Sequence, residues 1–291
     1  MKHLLTLFLV CSSLLLQAQW WNNSTYDWSK AKRLHKGILC AQWKTKSPRI
    51  MKIVAVRIDL NTKNLDFHTT PPAENYGQKM PDAQDFIIRT RRETTRKFFE
   101  SLQKHDVNVI VAFNAAPWSP WRKPFTHKYA DRMGFLVSDG KVVMEPDGKR
   151  PSFVQYTDGK VDLVRVTKDA DLSKIKNAVS GFSFVLQNGE VTKSQSQALA
   201  PRTGYGISKD KCYFYVFIVD GRQPKYSMGM NHREVGEFLK YLGSHTGINM
   251  DGGGSSTMIV KRKKKTEMLN QQPGKSERTV GASLAVSVGK R

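Results

Sequence analysis

Three consecutive glycines, Gly252 to Gly254, lie between apolar runs in the stretch GINMDGGGSSTMIV, which spans Gly247 to Val260. A turn between two strands needs one or two glycines. Three in a row suggest that another group must approach the backbone closely. Successive N–H groups free of side chains can line an anion-binding concavity, and Ser255, Ser256 and Thr257 add hydroxyl donors. Asp251 stands at the mouth of this stretch, where a carboxylate could hold a sugar hydroxyl, activate water or bind a cation. No GK[ST] closes the loop, so it is not a phosphate-binding P-loop. Lys261 to Lys265 follows at once and reads as the tip of a hairpin, either a solvated end or a device that draws a polyanion toward Asp251.

The elements around this stretch are mostly strands. Gly37 to Trp43, Arg49 to Leu60 and Cys212 to Val219 have strand composition and alternation. Asn64 to Thr70 reads as the hairpin partner of Arg49 to Leu60. Asp106 to Phe113 is apolar almost throughout, as expected of a strand buried on both faces. Hairpins are expected at Asp139-Gly140, Asp158-Gly159 and Asn188-Gly189. Thr94 to His105 and Met230 to Leu242 read as helices. The second has Asn231 as its cap, Glu234 completing a capping-box pattern and Gly243 ending it. Leu172 to Ile175 reads as a short helix, and Gly281 to Val288 as a closing strand. The order lacks regular βαβ alternation and any 20–50-residue repeat. The fold class is therefore α+β, a mixed, mostly antiparallel sheet with a few packed helices.

The first 18 residues read as a secretory signal peptide, with Lys2 and His3 ahead of an apolar run from Leu4 to Leu16. An exported chain, periplasmic or extracellular, is expected from them. Trp20 to Lys36 reads as a surface-lying lead-in within a segment 19–50, followed by one domain over 51–291. A net charge of +22 points to anionic partners, an anionic glycan above all. No motif for nucleic acid is present, and no nucleic-acid partner or transmembrane span is expected. Cys40 and Cys212 either pair or stay as buried free thiols. No His/Cys/Asp cluster has metal-ligand spacing, so neither a cofactor nor a transition metal is expected, with a structural Ca²⁺ left open.

Several segments fall in one order. Asn114 stands at the exit of a buried strand. Pro201-Arg202-Thr203 precedes another, and Asp220-Gly221-Arg222 follows it. Gly229-Met230 opens a helix. Asn249-Met250-Asp251-Gly252-Gly253-Gly254-Ser255, Asn270 and Glu277-Arg278 complete the set. This order resembles the phosphodiester glycosidase family over roughly Met51 to Val288. The chain departs from it at Ala115 and Ala116, where the family usually has two glycines, and at His232, which reads as a surface residue. The resemblance implies cleavage of the bond between a sugar's anomeric carbon and a phosphodiester oxygen. Asp251, Glu277 and Asp220 are then the candidate catalytic carboxylates. Arg202 and Arg278 can grip a phosphate, the Gly252, Gly253 and Gly254 amides with Ser255 can hold it, and Asn114 and Asn249 can hold sugar hydroxyls. Each has a structural alternative: a turn for Asp220, a surface pair for Glu277 and Arg278, a capped turn for Asn114. Trp118, Trp121 and Phe125 either stack on a sugar or cover a core edge. A non-catalytic binder of anionic cell-surface polysaccharide is the competing function.

Overall fold

The computed structural model describes residues 20–21, 24–122, 125–131, 134–193, 196–262, 265–274 and 276–289. The first 18 residues, expected to be a signal peptide, and Lys263-Lys264 of the basic run lie outside these. Among the described residues every strand pairing is antiparallel. An eight-stranded sheet runs in the order Lys32–His35, Ile38–Thr45, Met51–Asp59, Tyr213–Val219, Arg202–Ile207, Thr246–Asn249, Ser183–Gln187, Glu190–Val191. A first five-stranded sheet runs Lys265–Met268, Met258–Arg262, Val109–Asn114, Ser283–Val288, Leu65–Thr69. A second runs Lys141–Met144, Leu136–Ser138, Ile175–Ser180, Pro151–Tyr156, Val161–Arg165.

The apolar faces of the three sheets meet in one core. Val54, Val56, Phe214, Val216 and Ile248 come from the large sheet, Val111, Phe113, Met258 and Leu284 from the first small sheet, and Phe153 and Val179 from the second. The central Val109–Asn114 strand is buried along its whole length, as its continuous apolar run requires. Helix α1 (Thr95–Lys104) covers the outer face of that sheet, with Phe98 and Phe99 on Val109, Ala112 and Ile259. Helix α2 (His232–Leu242) covers the outer face of the large sheet through Val235, Phe238 and Leu239. Its Asn231 cap and Glu234 form the reciprocal capping box, and Gly243 ends it with φ 107°. The hairpins at Asp139-Gly140, Asp158-Gly159 and Asn188-Gly189 form as expected.

One expectation is corrected. Asn64 to Thr70 is not the partner of Arg49 to Leu60. Leu65–Thr69 pairs with Ser283–Val288 in the small sheet, whereas Met51–Asp59 pairs with Ile38–Thr45 and Tyr213–Val219. The turn after Leu60 thus hands the chain from one layer to the other. Trp20 to Lys36 is mostly exposed along its described residues, but two tryptophans anchor it. Trp21 and Trp28 are buried against Phe238 and Tyr215, Trp28 Nε1 donates to Leu242 O at 2.9 Å, and Lys32–His35 is an edge strand. Aromatic side chains of this size outweigh the polar residues between them. Cys40 and Cys212 are both free, the first buried and the second half-buried. No helix of the described residues is long and apolar enough to cross a membrane.

Candidate active site at the glycine crossover

The glycine stretch is the point where the chain leaves the large sheet at Asn249 and enters the small sheet at Met258. Asn114, at the end of the central small-sheet strand, staples the crossing. Its Nδ2 donates to Asp251 O at 2.7 Å, and its Oδ1 accepts from Thr203 Oγ1 at 2.9 Å and Thr257 N at 3.0 Å. Tyr205 Oη donates to the Asn114 carbonyl at 2.9 Å. Asn114 is fully buried, so the expectation that it holds a sugar hydroxyl is corrected: it fixes the Asp251 backbone. The methyls of Ala115 and Ala116 point into the shared core, and the departure from the usual glycines therefore fills core space.

The glycines are required for a different reason from the one expected. Gly252 N donates to Asp251 Oδ1 at 2.9 Å and Gly253 N to Pro201 O at 2.9 Å. With two of the three amides engaged, the loop is not an open nest of donors for a phosphate. Instead, guanidinium groups lie on the bare backbone. A Cβ at Gly254 would stand 2.5 Å from Arg278 Cζ, and one at Gly253 would stand 3.0 Å from Arg222 Nη1. A Cβ at Gly252 would meet Pro201 O at 2.8 Å. Gly253 also has φ +62°, where a side chain is strained. Arg222 itself adopts φ 57°, a strained backbone state of the kind that clusters at functional sites.

Asp251 is 8% exposed. Burial pushes its carboxyl up to about 6, against the opposing pull of the Ser255 hydroxyl, the Gly252 N–H and the Arg278 charge. Its Oδ2 is buried with no hydrogen-bond partner, as is Ser255 Oγ beside it. Asn249 is buried on the same crossover, and its Oδ1 is likewise without a partner. Unpaired buried polar atoms are rare and costly, and their clustering in one place marks the loop as a site.

The arginines are arranged with equal economy of neutralisation. Among the described residues, Arg202, Arg222 and Arg278 have no carboxylate partner in an ion pair. Burial lowers the Arg202 guanidinium to about 10, and repulsion from Arg222 adds to the effect. Arg92 is lowered to about 10 by burial and then by Arg278. Arg202 is oriented by Met230 O at 3.0 Å, Ala198 O at 2.8 Å and His232 Nε2 at 2.9 Å from its Nη1. His232 is half-buried and driven down to about 4 by burial and by Arg202. It is therefore neutral and accepts from the arginine, which corrects its reading as a surface residue. Arginines that repel one another, with no ion pair to a carboxylate among the described residues, suit an anionic ligand.

Aromatic rings complete one wall. The Arg278 guanidinium lies 5.5 Å from the Trp121 ring and 5.5 Å from that of Phe125, which are 4.6 Å apart. Trp118 is buried while Trp121 is 56% exposed. The first covers a core edge, and the second offers an open face. Arg92 stacks 3.9 Å over Trp118 and binds the carbonyls of Phe125 and His127, holding this wall in place.

Asp220 and Glu277 stand outside this first layer. Asp220 is 3% exposed, and burial pushes it up to about 6. Its carboxylate accepts from Gln271 N at 2.9 Å and Asn270 Nδ2 at 3.2 Å. Asn270 also donates to Ser256 O and accepts from Met258 N, while Gln272 accepts from Arg278 N and donates to Thr257. Asp220 thereby anchors the segment that positions Arg278. Glu277 accepts from Arg96 Nε of α1 at 2.6 Å. That pair holds the Glu277 segment on α1 through Oε1, while Glu277 Oε2 is buried with no hydrogen-bond partner. Arg222, His232, Asn270 and Gln272 were not among the expected site residues, although Arg222 and Asn270 stood in the ordered set of segments and His232 was noted as a departure from it. Among the described residues no group of three or more His, Cys, Asp and Glu could hold a metal ion.

A fold of antiparallel sheets crossed by a buried aspartate, with arginines around it, makes this crossover the candidate site. The family comparison agrees with it: the profile of the phosphodiester glycosidase family matches residues 108–287, and the chain belongs to that family. Mouse N-acetylglucosamine-1-phosphodiester alpha-N-acetylglucosaminidase is 26% identical over 150 residues, 44% of this chain and 28% of that protein. The match thus spans little more than a quarter of the mouse enzyme's length. The catalytic domain of the zebrafish enzyme of the same name, auto-inhibited by its pro-peptide, superposes with a TM-score of 0.59 at 20% identity, over 90% of this chain and 87% of that one. A hypothetical protein from Synechocystis superposes at 0.64 with 11% identity, over 87% and 62%. These likenesses establish the fold.

Proposed function

We propose that this protein hydrolyses the sugar C1–O bond of a sugar-1-phosphodiester in a glycan or cell-surface polymer, and that it does so after export to the periplasm or the extracellular space. The observation that supports it best is the buried, unpartnered Oδ2 of Asp251 beside three arginines that make no ion pair with a carboxylate among the described residues. In this reading the diester phosphate lies against Arg278, Arg222 and Arg202. Trp121 stacks on the sugar. Water attacks C1 and passes its proton to the Asp251 carboxylate. The C1–O electron pair leaves with the phosphate monoester. Such a leaving group is already good, so the site needs less general-acid help than an ordinary glycosidase. Guanidinium groups fixed in advance stabilise the charge that grows on it. The Ser255 hydroxyl, beside the Asp251 carboxylate, holds the attacking water. No cofactor takes part in these steps.

The test is a panel of alkyl and aryl diesters of N-acetylglucosamine 1-phosphate and related sugar 1-phosphates. Release of free reducing sugar is expected. No turnover across the panel would overturn the assignment.

A further inference from the structure

A second polar cleft lies at the opposite end of the large sheet. Met51–Asp59 starts at the Asp220 corner, where Asp220 N donates to Lys52 O at 3.0 Å. It ends at the cleft, about 25 Å away at the usual rise per strand residue. Two connected hollows of about 530 Å³ each share Lys36, Gly37 and Asp59. Each is of the size of ordinary ligand pockets. Their walls are the turns at Lys36-Gly37 and Asn61-Thr62, which pack so closely that a Cβ on Gly37 would fall 1.9 Å from Thr62 Oγ1.

The lining is basic and hydroxyl-seeking. Arg33, Lys36, Arg57 and Lys63 line it, and none pairs with a carboxylate among the described residues. Arg57 is fixed by stacking 4.5 Å over Tyr213 and 5.4 Å over Trp28. Exposed Asn61 and Asn64 add donors and acceptors. Asp59, which spends one oxygen on the Asn61 N–H, is the single carboxylate of the walls. We propose that this cleft is a binding site for an acidic polysaccharide, remote from the glycine crossover and independent of its chemistry.

The lining chooses among polyanions. A nucleic acid presents a phosphate at every residue and bases that seek aromatic faces. Here Asp59 repels a dense phosphate row, and the His35 imidazole is the single ring among the lining residues, too few for a row of stacked bases. A lipid surface calls for exposed apolar side chains, but Leu39 and Val288 are the only large apolar linings. A sugar polymer with spaced carboxylates supplies anions to the bases and hydroxyls to Asp59, Asn61 and Asn64.

The experiment measures binding of the intact protein to polygalacturonate, neutral dextran, oligo(dT) and phosphatidylserine vesicles. It compares wild type, R33S/K36S/K63S, and a charge-matched control, K104S/K141S/K168S, whose lysines are exposed elsewhere. The cleft variant should bind polygalacturonate about tenfold more weakly, from about a twofold loss per exposed charge. The control should bind within about twofold of wild type. Dextran should not bind, and Asp251→Asn should bind polygalacturonate as wild type does, which separates this site from the proposed reaction. Equal losses in the two triple variants would overturn the proposal. Tighter binding of oligo(dT) or of vesicles than of polygalacturonate, lost in the cleft variant, would overturn its choice of ligand. Thermal melts of all variants exclude unfolding as the cause.

Discussion

Replacing Asp251 with asparagine should abolish turnover and make the fold more stable near neutral pH. Burial raises this carboxyl from 3.8 to about 6. The two values differ by about 2, which at about 1.36 kcal/mol per pH unit corresponds to about 3 kcal/mol. An acid whose pKa is raised in the folded chain holds its proton more tightly there than when unfolded. Its contribution to stability is complete below about pH 3.8 and is lost as pH rises through about 6. Above pH 7, therefore, wild type bears nearly all of that cost. Asparagine has no charge to bury. Its Oδ1 still accepts from Gly252 N, and its Nδ2 stands where Oδ2 was, beside a Ser255 hydroxyl free to accept. For a domain of this size about 3 kcal/mol corresponds to a rise in Tm of roughly 5–10 °C. The assay is a thermal melt of both proteins at about pH 7.5 and about pH 4. The gain should be present at the higher pH and nearly gone at the lower. A variant that melts below wild type at the higher pH, or by the same margin at both, would refute the reasoning.

Other perturbations address the arginines and the carboxylate directly. Gly254→Ala puts a methyl 2.5 Å from Arg278 Cζ; displacing that group by about 1 Å should lower kcat/KM about 100-fold, and an unchanged value would mean that Arg278 does not touch the substrate. Because Asp251 must be ionised to accept a proton, kcat/KM should fall about tenfold per unit as pH drops below about 6 and level off above it; a flat profile would point to another base. His232→Ala removes the acceptor on Arg202 Nη1 and should raise KM severalfold with little change in kcat, and His232→Gln, which keeps an acceptor, should restore most of it.

Local chemistry was legible in the sequence wherever a few neighbouring residues decide the structure. The Asn231–Glu234 capping box, the left-handed Gly243 and the Asn188-Gly189 turn need no distant partner, and each forms as written. The apolar run before Asn114 likewise determines its own burial. Pairing across the chain was not legible. Leu65–Thr69 has the length and composition to pair with the strand before it, and only the crossing of the chain between layers sends it to Ser283–Val288. At the site, the sequence pointed to Asp251 and the glycines but assigned the glycines to amide donation. That Arg278 and Arg222 rest on them depends on segments 24 and 31 residues away in the chain, counted from Gly254 to Arg278 and from Arg222 to Gly253. Asn114 has the right chemistry for a site, and only its partners, Asp251 O, Thr203 and Thr257, reveal that its side chain is already engaged.

The central claim is that the bond broken lies between the sugar carbon and oxygen. Hydrolysis of a sugar-1-phosphodiester in water enriched in heavy oxygen, with both products weighed by mass spectrometry, tests it. Attack at C1 places the heavy atom on the released sugar and leaves the phosphate monoester unlabelled, and Asp251→Asn should release neither product at a measurable rate. Label in the phosphate monoester would mean attack at phosphorus and would contradict the account.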